Sequence, residues 1–268
     1  MQQSVIPKNL DAMTPAAPTK PASVQALLNG ILDGEGFRKR FDEVLGARAP
    51  QFVSSLVSLI NADSALRQAA VDAPLTIIQS ALKAAALDLP IDPALGLAYI
   101  CPFRNKGKSE AQFIIGYRGL IQLALRTGAY SKLTVVDVRE GEFQSFDRLT
   151  ETLSVNWIED EGEREKREIV GWIGYFKLTN DFEKAVYMSR NDVLRHEKKH
   201  RKGQEMSRAW REDFNVMAEK TVLRKLLGKY ALLSVTYQQA DPAAIKAADD
   251  LMRGCAEEDT LEAEAAVE

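Results

Sequence analysis

The chain has 268 residues, 46% of them hydrophobic and 27% charged, with a formal net charge of −3, which allows one or two globular domains with a full core. No apolar run approaches the ~18 residues of a membrane span, and the opening MQQSVIPKNLDAMTPAAPTKP lacks the basic-then-apolar order of a secretory signal. Two cysteines, Cys101 and Cys255, are too few for a disulfide framework and favour a reducing cytoplasm.

Residues 1 to about 35, rich in Pro, Ala, Gln and Gly and without periodicity, predict a flexible arm. Two amphipathic helices follow. Phe37, Phe41, Val44 and Leu45 share one face of the first, and Phe52, Leu56, Leu59 and Ile60 one face of the second, with Pro50 near its start. A third, roughly Pro74 to Leu87, ends at the turn sequence Asp88-Leu-Pro-Ile-Asp-Pro. The apolar runs Leu97–Phe103 and Ala111–Ile115, joined by Arg104-Asn-Lys-Gly-Lys-Ser-Glu, predict a hairpin. Pro102 places its first strand at a sheet edge or ends it.

Tyr117 to Arg126 has helical spacing and stops at Gly128. Strands are predicted near Leu133–Arg139 and Ile169–Leu178, the latter turning at Asn180-Asp181 into Phe182–Met188. From Arg190 the pattern is helical, with a break at Gly203. A long helix from about Glu205 to Tyr230 is expected to bury Trp210, Phe214, Met217, Val222 or Leu223, and Leu226. Helices, a mostly antiparallel sheet and further helices make an α+β fold. The expected division is an arm over 1–35, a core over 36–237 and an acidic tail over 238–268.

Charge follows this division. Residues 238–268 hold nine acidic and two basic groups, a net of −7, which leaves +4 for the rest. Residues 190–229 hold twelve Lys or Arg against six Asp or Glu. A basic segment followed by an acidic tail fits polyanion binding plus a separate interaction arm, and also fits a solvated helical face with a solubilising end.

Three motifs suggest catalysis. Gly107-Lys108-Ser109 resembles the end of a phosphate-binding loop. However, Pro102 stands where that loop needs its first glycine, and the tripeptide lies in a hairpin rather than between strand and helix. His196-Glu197-Lys198-Lys199-His200 matches the zinc-peptidase pattern H-E-x-x-H, with Glu219 a conceivable third ligand. Its lysines and the flanking Arg195, Arg201 and Lys202 raise the electrostatic cost of a dication, so an exposed basic face is the stronger alternative. Asp137, Glu140 and Glu142 sit at a strand end without the second acidic cluster of a metal-dependent nuclease. What remains is binding, since cations beside aromatics suit phosphates and unstacked bases.

Ala86-Leu-Asp-Leu-Pro-Ile-Asp, Phe113-x-x-Gly116-Tyr-Arg-Gly119, Leu125-Arg-Thr-Gly128 and Met217-Ala-x-Lys-Thr-x-Leu-Arg-x-Leu226 together resemble the RecT family of phage single-strand annealing proteins, from about Phe37 to Val235. The resemblance implies a short sheet packed on a long helix. It implies a protein that coats single-stranded DNA and anneals it through an annealed duplex intermediate, with neither ATP nor another cofactor or metal, and that is not an enzyme. It further implies homo-oligomeric rings or helical filaments in the bacterial host cytoplasm. Implied partners are an exonuclease and a host single-strand-binding or replication protein met through the C-terminal region. The DNA groove is expected at Arg104, Lys106, Lys108, Gln112, Tyr117, Arg118 and Arg126, completed by Lys220, Arg224 and Lys225, with Lys198, Lys199 and Arg201 as a further basic turn. A zinc metallopeptidase and a structural phage oligomer without DNA affinity are the alternatives.

Overall fold

Apolar residues at helical spacing build the N-terminal half. In a computed structural model of the chain, which describes Ala26, Gly30, residues 37–201 and residues 203–234, α1 (Phe37–Leu45) buries Phe41 and Leu45. After a single 3-10 turn at Gly46–Arg48, α2 (Ala49–Ala62) starts with Pro50 in its first turn and buries Leu56 and Ile60. The predicted arm (apart from Ala26 and Gly30), the acidic tail over 238–268 and Lys202 lie outside the described residues.

α3 (Ser64–Asp72) has no counterpart among the predicted helices. Its start is nevertheless written in Asp63, whose side chain accepts hydrogen bonds from the amides of Ala65 and Leu66 at 2.7 and 3.3 Å, satisfying donors that a helix start leaves unpaired. α4 (Pro74–Ala86) begins on a proline whose fixed φ suits a first helical turn. Ala69, Ala70, Ala81, Ala84 and Ala85 are buried in one core with Phe41 and Ile77.

That core receives one face of a hairpin, β1 (Ala98–Asn105) with β2 (Lys108–Ile115). The polar residues predicted as a seven-residue loop are mostly strand. Only Lys106 and Gly107 turn the chain, at φ of 47° and 86°, the left-handed pair that a two-residue hairpin turn requires. α3 and α4 tie down the hairpin's outer edge. The Ser109 amide donates to Asp72 at 2.9 Å, the Ala111 amide donates to the Thr76 hydroxyl at 2.9 Å, and Ser80 donates to the Ala111 carbonyl at 3.2 Å. Among the described strands Pro102 lies in a two-stranded sheet, in keeping with the edge position expected of it.

α5 (Tyr117–Leu125) leads into a three-stranded antiparallel sheet of β3 (Tyr130–Arg139), β6 (Ile169–Leu178) and β7 (Glu183–Ser189), ordered β3-β6-β7. Between β3 and β6 stand a small hairpin, β4 (Phe143–Phe146) with β5 (Leu153–Val155), and the short α6 (Glu161–Glu165). Phe143 stacks on Tyr187 with ring centroids 4.2 Å apart, which seats this hairpin on the sheet. α7 (Arg190–His200) opens on a capping box of Ser189 and Asp192.

The single long helix expected from Glu205 to Tyr230 is two helices, α8 (Arg208–Glu212) and α9 (Phe214–Tyr230), divided at Asp213. Trp210 and Phe214 still meet across the break, with ring centroids 5.5 Å apart. α9 packs on the three-stranded sheet and on α5, burying Met217, Val222, Leu223 and Leu226. The fold is α+β, with small antiparallel sheets and a long helix as expected. Among the described residues no helix is long and apolar enough to cross a membrane.

Candidate nucleic-acid interface

The junction of β2 and α5 joins backbones more closely than side chains allow. A Cβ on Gly116 would lie 2.1 Å from the carbonyl oxygen of Gly96, and one on Gly119 would lie 2.1 Å from that of Leu97, so only glycine fits at either place. The Gly116 amide donates to the Leu97 carbonyl at 3.0 Å. The glycines of Phe113-x-x-Gly116-Tyr-Arg-Gly119 are thus the means by which the hairpin and α5 meet.

This junction holds Tyr117 and Arg118 at the start of α5. Arg118 Nε donates to the Tyr117 hydroxyl at 3.1 Å, and its guanidinium stands 5.7 Å from the Tyr117 ring centroid. The ammonium of Lys220 lies 5.4 Å from the same ring. A half-buried aromatic flanked by two cations is a chemistry suited to a base face beside a phosphate.

Lys220 and Arg224, expected as phosphate contacts, are buried, at 3% and 5% exposure. One Arg224 Nη donates to the Ile115 carbonyl at 2.7 Å. Both residues fall at helical spacing with the buried Met217 and Leu227, so they share the inward face of α9. Their place is inside the β2–α5 junction, and the helical phase was the signal for it. Lys225 is exposed.

The hairpin register divides the other expected contacts. Ile100 opposite Phe113 and Pro102 opposite Ala111 form the core face, and Arg104 opposite Ser109 continues that face toward the turn. Gln112 and Lys108 belong to the other face, with Cys101 and Asn105 opposite them. Lys106 is at the turn itself. Arg104, Lys106, Lys108 and Gln112 are all exposed. Asp72 faces this cationic end. The bond from the Ser109 amide holds its carboxyl below the usual range, helped by Gln68 and by the charges of Lys108 and Arg104.

Arg126 has a structural occupation. Its guanidinium donates to the carbonyls of Leu87 and Asp88 at 2.9 and 2.8 Å, capping the end of α4 where helix carbonyls lack partners. Lys198 and Lys199 are exposed in the last turn of α7, which packs on β6 and β7 rather than on the hairpin. Arg201 turns back to grip the buried Glu197 through both carboxylate oxygens. Glu197 therefore serves an ion pair rather than a general base's position. His196 and His200 have ring centroids 4.4 Å apart, and among the described residues no group of three or more His, Cys, Asp or Glu is arranged to hold a metal ion.

The carboxylates near the end of β3 surround Arg164, a residue no motif singled out. Arg164 pairs with Glu142 at 2.8 Å and with Asp137 at 3.2 Å, while Asp137 also accepts from Arg139 at 3.0 Å. Burial pushes the fully buried Glu142 carboxyl up. Bonds from the Arg139 amide, Arg164 and the Ile158 amide outweigh it and hold the carboxyl below its ordinary range. The cluster closes the loop between β3 and β6.

The RecT family model matches residues 50–262. The uncharacterized protein YqaK of Bacillus subtilis (strain 168) is 42% identical over 215 residues, covering 80% of this chain and 71% of that protein. Protein RecT of Escherichia coli (strain K12) is 32% identical over 186 residues, covering 65% of this chain and 66% of that protein. The match takes in both strands of the hairpin, the glycine-tight junction and the whole of α9, and the chain belongs to the RecT family.

Proposed function

We propose that the chain is an ATP-independent single-stranded-DNA-binding protein that anneals complementary strands in phage-type homologous recombination, working as an oligomeric ring or helical filament. The observation that carries this reading is the family match over residues 50–262. The exposed cations at the hairpin's turn and the Tyr117–Arg118 pair beyond its other end supply a surface for it.

On this reading Arg104, Lys106, Lys108, Gln112, Tyr117 and Arg118 meet the DNA, and Lys225, Lys198 and Lys199 add positive charge elsewhere. Lys220 and Arg224 act from within by holding the junction. Cations take the sugar–phosphate backbone and the aromatic face takes a base, which leaves base edges open to a complement. Base pairing then supplies specificity, and no covalent bond is made or broken. Neighbouring protomers extend the surface, so cooperativity arises from protein–protein contacts. The arm and the core divide near residue 36. The tail over 238–268 is the arm for a host single-strand-binding or replication protein, and an exonuclease supplies the single strand.

The test is retention of a labelled oligonucleotide across a salt series. Binding whose log Kd rises linearly with log salt, alike for unrelated sequences, supports the reading. Absence of retention at low salt would leave an oligomer without DNA affinity.

A further inference from the structure

α5, β3 and α9 enclose a groove beside the surface just described, with Tyr117, Glu219 and Lys220 at its polar side. Ile121, Leu125, Leu133, Val135, Val216 and Leu223 line it, with a volume of about 260 Å³. That exceeds the roughly 150 Å³ of an apolar cavity able to hold benzene. Leu125 and Val216, at 54% and 44% exposure, stand among its lining residues. Large apolar side chains gathered at a concave site mark a contact surface rather than scattered exposure.

The path of the chain points to an occupant. Beyond α9 the Tyr130 hydroxyl donates to the Leu232 carbonyl at 3.0 Å, and the Ser234 amide donates to the Leu123 carbonyl at 2.9 Å. The chain therefore leaves the body against the last turn of α5 and the first residue of β3, two of the three elements that form the groove. The tail continues from there to Glu268, and the family match runs through residue 262, so the shared module does not stop at Ser234.

Within that tail, Asp241-Pro242 is a helix-start signal, an N-cap residue followed by proline at the first helical position. Ile245, Ala248, Leu251, Met252 and Cys255 then recur at helical spacing, and Lys246, Asp250 and Arg253 fall on the opposite side. The residues from 235 to 241 reach roughly 23 Å when extended. The face of α5 from Tyr117 to Leu125 is only about 12 Å long. Reach is sufficient.

We propose that residues 242–255 dock in cis, through Ile245, Leu251 and Met252, into the groove formed by α5, β3 and α9 of the same chain. The segment brings an apolar face to the groove's apolar wall of Ile121, Leu125, Leu133, Val135, Val216 and Leu223 and leaves its charged side to water. This docking site borders the proposed DNA surface at Tyr117 and Lys220, but its test uses no DNA, so its failure is read separately from that of the DNA-binding reading.

Limited trypsin digestion of the full chain under native conditions reads the docking directly, through cleavage after Lys246 and Arg253. In the unaltered protein both bonds are cut at least roughly tenfold more slowly than in a synthetic peptide of residues 235–268, since docking must open before cleavage. The groove variant Leu125→Asp/Val216→Asp, checked for an unchanged thermal midpoint, loses that protection. The tail variant Ile245→Ser/Met252→Ser, whose changes lie outside the body, loses it as well. Cleavage of the unaltered chain at the peptide's rate overturns the proposal. So does protection that survives in a stably folded groove variant. Mixing the two variants settles whose groove is used, because one retains an intact tail and the other an intact groove. Restored protection in the mixture assigns the groove to the tail of a second copy and overturns docking in cis; continued rapid cleavage supports it.

Discussion

Arg224, on the long helix α9, donates a 2.7 Å hydrogen bond to the carbonyl of Ile115, the last residue of β2. Two residues later the chain presents Tyr117 and Arg118. This buried cation thus fixes the backbone that carries the interface's aromatic group, while its neighbour Lys225 faces outward.

Arg224 and Lys225 should therefore separate cleanly. Arg224→Met leaves the Ile115 carbonyl without its buried donor and should cost about 2–3 kcal/mol in chemical denaturation. Lys225→Ala should leave stability within about 0.5 kcal/mol and lower the slope of log Kd against log salt by about one. A stable Arg224→Met protein with a reduced salt slope would return Arg224 to the phosphate contacts.

The hairpin turn gives a second test. Lys106 has φ of 47°, a conformation asparagine accepts readily, and Lys108 is exposed. The pair Lys106→Asn/Lys108→Gln should keep the thermal midpoint and reduce the salt slope by about two, alike for all single-stranded sequences. An unchanged slope would place the DNA on another face.

The Arg164 cluster sets an acid limit on stability. Glu142 is held below its ordinary value of 4.5, so its contribution is present in full above that value and is lost as pH falls through the lower folded one. Glu142→Gln should flatten this part of the melting-temperature profile while lowering stability at pH 7. Arg164→Met, which leaves two carboxylates without their shared cation, should cost about 3 kcal/mol or more at pH 7. A profile below pH 4.5 identical for Glu142→Gln and the unaltered protein would show that the cluster carries no such linkage.

Much of this architecture was legible in the sequence, because strong periodicity and turn chemistry decided it locally. Phe41, Leu56 and Ile60 lie on their predicted faces, the Asn180-Asp181 turn joins β6 to β7, and Gly128 ends α5 as expected. Short elements escaped. α3 has few large apolar residues, and its close packing rests on alanines whose periodicity is faint. The break at Asp213 interrupts a pattern that continues in phase from Trp210 to Phe214. Net charge suggested cations for a groove but not which of them turn inward. Arg126 and Arg224 spend their charge on carbonyls distant in the chain, which only the folded backbone discloses, whereas the helical phase of Lys220 and Arg224 and the four-residue spacing of Glu197 and Arg201 were there to be read.

The His196–His200 segment yields a fourth prediction. Arg201 already engages Glu197, so purified protein should contain zinc far below one per chain. Glu197→Gln should anneal DNA like the unaltered protein while losing about 1–2 kcal/mol of stability with the ion pair. One zinc per chain, together with annealing that a chelator abolishes, would contradict the assignment of Glu197 to its ion pair with Arg201.

The most direct test of the central claim is the rate at which two complementary oligonucleotides pair, followed by fluorescence with purified protein and no nucleotide. The account predicts pairing well above the protein-free rate, insensitive to added ATP, and slowed in Lys106→Asn/Lys108→Gln at salt concentrations where that variant binds less DNA. Pairing no faster than the protein-free control, or acceleration that appears only when ATP is supplied, would contradict it.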